Sequence, residues 1–208
     1  MILAVLTELG ALGWGLVLHR AAGGRPSAAC LPVAWAIGAS AEVSVLYPFA
    51  LGATFPRSFP AVLTTGGLLV LAALLRRSGR AWWNDVRRLR PRLKPLDAAL
   101  AVVIALPLAV ILIRGLALPP SGWDGLAMWT AKAGLLTHGE GLGSEAFTDA
   151  GRVHAHAGYP LGLPLLVARS TVWSGQLELL SFSRSLTLVA ALLIWTMASL
   201  VARCAGWR

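Results

Sequence analysis

Several stretches of this chain are apolar over about the 17–25 residues that a helix needs to cross a bilayer, and a dense basic segment separates the third from the fourth. The stretches are residues 2–18, 28–51, 61–75, 98–118 and 186–201. Residues 159–173 form a shorter apolar run, broken by Pro160, Pro164 and Arg169, which reads as a sixth span continuing to about residue 180, or else as a re-entrant segment. Composition agrees: 57% of the 208 residues are hydrophobic and 13% charged, where a soluble globular chain has about 45–50% and about 25%. Disorder is excluded, and the fold class expected is all-α, a polytopic helical membrane bundle of about six spans.

The net charge of +9 would suit nucleic acid, but its distribution points elsewhere. Arg76, Arg77, Arg80, Arg87, Arg88, Arg90, Arg92 and Lys94 stand against one acid, Asp85, in the same segment. Short basic loops stay in the cytoplasm, so the segment orients the chain, with anionic lipid as a further attraction. Trp82 and Trp83 suit an amphipathic stretch on the inner surface. The N-terminus is no secretory signal peptide: it lacks a basic leader, carries Glu8, and has His19, Arg20 and Arg25 after its apolar run.

Three regions follow: a three-helix membrane part (1–75), a basic cytoplasmic loop (76–96) and a second membrane part (97–208) with an external loop at 119–158. That loop of about 40 residues is long enough to suggest function. It carries Asp124, Glu140, Glu145 and Asp149 against Lys132 and Arg152. After Pro119 and Pro120 end the fourth span, Trp123, Leu126 and Trp129 recur at a spacing of three. They predict a helix lying flat at the outer interface, where tryptophan is favoured.

Asp124 has two readings. With Ser121 it makes an S-x-x-D cap, its acid in the positive first turn of the helix. Alternatively it is a base at the lipid surface, activating an acceptor hydroxyl against a lipid-borne donor. Lys132, about two turns on, is either an exposed snorkelling cation or a phosphate contact. His154 and His156 form an H-x-H without regular ligand spacing, so no metal site is expected; His156 suits a phosphate or sugar at the interface. Inside the spans, Glu8, Glu42 and Arg169 call for partners: Glu8 pairs within the bundle, and Arg169 serves either an internal ion pair or a site contact. Arg114, near the outer end, snorkels. Cys30 and Cys204 read as small buried hydrophobes.

Trp123, Asp124, Trp129, Lys132 and Ala133, then H-x-x-Y-P-L-x-x-P-L-L over residues 156–166, then Gly175 and Arg184-Ser185-Leu186, together resemble the N-terminal part of bacterial membrane glycosyltransferases of the protein O-mannosyltransferase-like type, in the C-type superfamily. The resemblance covers about half the chain. It implies a polyprenyl-phosphate-linked sugar as donor, inversion at the anomeric carbon, no cofactor, and Asp124 as the essential acid of the first external loop. Trp123, Tyr159, Lys132, His156 and Arg169 are then the candidate substrate and phosphate contacts. It also implies a bacterial cytoplasmic membrane, lipids and a lipid-linked sugar as partners, and no nucleic acid. Such enzymes are usually longer, so the chain reads as an N-terminal portion. Two other classes fit the residues: a non-enzymatic or transporter-like membrane protein, marked by paired charges such as Glu42 with Arg169, and a metal-dependent hydrolase built on His154 and His156.

Overall fold

A computed structural model describes residues 2–24, 30–88, 129–149 and 161–171, with isolated positions between 102 and 118 and at 187, 191 and 194. The described residues are all-helical, with one isolated bridge, Thr54 to Glu140. Three long helices, α1 (Ile2–Ala21), α2 (Leu31–Ala50) and α3 (Ser58–Arg88), are followed by α4 (Ala131–Thr137), α5 (Glu145–Thr148) and α6 (Gly162–Thr171). α2 and residues 58–81 of α3 are long and apolar enough to cross a membrane.

α1 is the centre of the first three helices, and glycine sets its spacing. A side chain at Gly15 would run into the Ala34 carbonyl, and one at Gly38 into that of Ala11, so α1 and α2 touch backbone to backbone and run antiparallel. On another side of α1, Gly13 meets the Gly67 carbonyl and Gly10 that of Thr64, so α3 runs parallel to α1. Small residues allow such close approach where apolar collapse in water cannot drive it. The Trp14 indole Nε1–H adds a bond to the Leu63 carbonyl at 2.8 Å. Leu16, Cys30, Ala34 and Leu71 fill the far end of this bundle, which gives Cys30 the packing role expected of it. The outward faces carry exposed Val33, Val45, Phe49, Val62 and Leu69. Apolar exposure on this scale marks a surface that meets lipid or another protein.

α3 differs from the expected end of its span near residue 75. It continues as one helix to Arg88, because nothing before Pro91 removes a backbone donor and arginine and alanine are good helix formers. At 1.5 Å per residue its 31 residues make about 46 Å, well beyond the roughly 30 Å of hydrocarbon.

The opposite end of the bundle is closed by residues far apart in sequence. The turn between α2 and α3 pairs with the segment after α4: Phe55 N–H donates to the Gly139 carbonyl at 2.7 Å, Gly141 N–H to Ala53 at 3.1 Å, Leu142 N–H to Ala50 at 2.7 Å and Gly143 N–H to Gly52 at 2.9 Å. Gly139 takes φ of +92°, open to glycine at little cost, and turns the chain out of α4 into this pairing. Beneath it Leu46, Ala50, Phe55, Leu136, Leu161, Leu165 and Ala168 form the largest apolar cluster, joining α2, α4 and α6.

In residues 97–208, scattered positions from 102 to 117 are helical, and Gly115 lies against the Thr187 side chain. The rest of the expected fourth and last spans, and residues 89–96 of the expected basic loop, lie outside the described residues.

Candidate functional site

α6 begins just after Pro160 and carries two different faces. Leu161, Leu165 and Ala168 enter the large cluster, while Leu163 and Val167 pack on Ala133 of α4. Arg169, in its last turn, is 1% exposed. Its Nη2 donates to Glu8 Oε2 at 2.7 Å and its Nη1 to Glu42 Oε2. The Trp35 indole Nε1–H donates to the same Glu8 oxygen at 2.9 Å. One guanidinium therefore ties α6 to both α1 and α2.

The depth of this triad follows from helix rise. Glu8 is six residues from the start of α1, Glu42 eight from the end of α2 and Arg169 seven from the start of α6. Each is about 9–12 Å below the end of the bundle closed by the Gly139 pairing. Buried charge is costly unless partnered, and the pairing answers that cost with one acid in excess. Two atoms are left over: Glu42 Oε1 and Arg169 Nε are buried without a hydrogen-bond partner among the described residues.

Lys132 is the second buried cation, with no exposed surface. It follows a single wide turn at Trp129–Thr130, of the π type often found at functional positions. The snorkelling alternative for Lys132 is thereby replaced. α4 is covered by the rest of the fold: Ala133 is sealed against Val167, and Leu136 is in the main cluster, both fully buried, while residues 123–128 of the expected interfacial helix lie outside the described residues. Removal from water pulls the Lys132 ammonium below the ordinary lysine range.

Of the residues singled out from sequence, Lys132 and Arg169 are thus brought to two sides of one helix pair, α4 with α6. Trp123, Asp124, His154, His156 and Tyr159 lie outside the described residues. Glu42 pairs with Arg169 as its sequence suggested. The part of Glu8 and Trp35 in the same cluster was not anticipated as a shared site. Its signal is the register itself: Gly15 opposite Ala34 and Ala11 opposite Gly38 bring Glu8, one turn further, level with Glu42. Among the described residues no three histidines, cysteines or acids converge to hold a metal ion. Searches of family models, curated proteins and solved structures find no match to the chain.

Proposed function

We propose that the chain is a multi-pass glycosyltransferase of the bacterial cytoplasmic membrane, or the N-terminal portion of one, moving a sugar from a polyprenyl-phosphate donor to an acceptor on the external face. About six spans, a cytoplasmic basic segment and an external 119–158 loop belong to this reading. The observation that supports it best is the docking of α4 on α6 through Ala133, Leu163 and Val167. α4 carries Lys132 and Ala133 of the W-x-x-K-A run of the glycosyltransferase-like pattern, and α6 carries Pro164, Leu165 and Leu166 of the Y-P-L-x-x-P-L-L run, the two runs being separated in sequence by residues 134–158.

In this mechanism Asp124 accepts the proton of the acceptor hydroxyl. The freed oxygen attacks the sugar C1 from the face opposite the leaving group. The C1–O bond to phosphate breaks, and its electron pair leaves with the polyprenyl phosphate. Cations set for that developing charge, Lys132 and His156, would stabilise it. Trp123 and Tyr159 would flank the donor. Arg169 is assigned a different part from the phosphate contact its sequence suggested: both its terminal nitrogens are engaged by Glu8 and Glu42, and it fixes α6 in place.

The test is transfer of radiolabelled sugar from a polyprenyl-phosphate donor by the full-length protein in membranes. Asp124→Asn should abolish turnover while leaving helix content and membrane insertion intact. Unchanged turnover removes Asp124 from the mechanism.

A second reading, a non-enzymatic or transporter-like membrane protein, draws on the Glu42–Arg169 pair. Its weakness is that Arg169 is packed between three helices and 1% exposed, rather than lining an opening.

A further inference from the structure

The C-terminal part of α3 takes no part in the transfer chemistry, in which the basic segment serves only to orient the chain. About 20 helical residues cross the hydrocarbon; counted from Ser58 they end at Arg76 and Arg77. The helix then continues for about three more turns. Arg76, Arg77 and Arg80 are exposed, and among the described residues no acid pairs with them. At about 100° per residue their positions, with those of Asn84, Arg87 and Arg88, fall within an arc of about 120°. The opposite side of the same turns is given to Leu75, Gly79, Trp82 and Val86. The exposed arginines 76, 77 and 80 therefore fall on one side of the helix, beginning at the level where the bilayer phosphates lie.

We infer that this arginine ridge is a binding surface for the phosphates of anionic phospholipids at the membrane face where α3 emerges. A guanidinium binds phosphate through two parallel N–H donors, and each arginine near an anionic leaflet adds to the attraction. Lipid is favoured over nucleic acid because the ridge is the direct continuation of an apolar span. In a bilayer, Arg76, Arg77 and Arg80 cannot avoid the phosphate layer, whereas a nucleic acid would have to displace it. The inference needs α3 to span the membrane and is independent of sugar transfer.

The experiment uses the full chain in nanodiscs of mixed phosphatidylcholine and phosphatidylglycerol, with spin-labelled versions of each lipid reporting the fraction immobilised on the protein. Phosphatidylglycerol should be held severalfold more strongly than phosphatidylcholine, and the preference should fall as salt is raised. The triple variant R76Q/R77Q/R80Q should bring the two lipids to near parity, and R76K/R77K/R80K should keep most of the preference. Equal immobilisation in the unaltered protein overturns the inference. So does a preference that survives the glutamine triple, or one surpassed by a single-stranded oligonucleotide at physiological salt.

Discussion

Arg169 and Glu42 meet across 127 residues of sequence, and both are buried from solvent. Removing the cation while leaving the acids strands two carboxylates inside the helix bundle. Breaking a buried pair in this way costs about 3–5 kcal/mol. Arg169→Met should therefore lower the unfolding midpoint of detergent-solubilised protein sharply. The triple change E8Q/E42Q/R169M, which leaves no stranded charge, should recover much of the loss. Equal destabilisation by the single and triple variants would mean that the ion pairing is not what holds α6.

Lys132 supplies a pH dependence. Burial lowers its proton affinity in the folded state below the ordinary value of 10.5. Between the lowered value and 10.5 the unfolded chain binds more protons than the folded one, so stability contributed by this group rises with pH across that window. The cost of burying the charge is fully present at pH values below it. Lys132→Met should thus flatten the alkaline rise, read from denaturation midpoints of both proteins between neutral and alkaline pH. A wild-type profile that falls through this range relative to the variant would refute the assignment. Under the transfer reading the same variant loses turnover, separating stability from activity.

The glycine contacts of α1 give a matched pair of substitutions. Gly38→Val should push on the Ala11 carbonyl and cost about 1–3 kcal/mol or more, as overpacking does. Gly79→Ala, at a helical position with nothing within 4 Å, should stabilise by about 0.5–1 kcal/mol through helix propensity. Thermal unfolding by circular dichroism reads both, and similar effects of the two would contradict the packing of α1 on α2.

Sidedness can be read chemically. With Cys30 and Cys204 replaced by alanine, single cysteines at Arg57 and Arg80 should be labelled by an impermeant maleimide from opposite faces of the membrane. Position 57 is next to the Gly139 pairing, and position 80 is past the about 20 residues of α3, counted from Ser58, that cross the hydrocarbon. Labelling of both from one side would rule out α3 as a crossing helix.

Much of this arrangement could be read from residue order alone. Long apolar runs announce the helices, and Glu42 and Arg169 in such runs call for partners, since neither is tolerable alone in an apolar setting; the close approaches at Gly10, Gly13, Gly15 and Gly38 came from the structure alone. The length of α3 was less legible: the change of composition at Arg76 marks the end of hydrocarbon, not the end of hydrogen bonding, and the backbone continues unbroken. Lys132 was ambiguous for a related reason. A lysine at the edge of an apolar segment can extend to water or be covered, and only the return of α6 over Ala133 decides between them. The pairing of residues 50–55 with 139–143 has no local sequence signature, because backbone groups make it. Of the candidate site, the α4–α6 contact joins the regions bearing two of the motifs; Asp124, on which the transfer chemistry turns, is outside the described residues.

The same triad imposes an order in time. Glu8 is made 161 residues before Arg169, an interval of about 8–30 s at roughly 5–20 residues per second of synthesis. For the last 127 residues of it, α1 and α2 coexist with two acids whose counterion does not yet exist. The triad can close only when α6 is made, so the arrival of Arg169 acts as a late latch on two helices completed long before it.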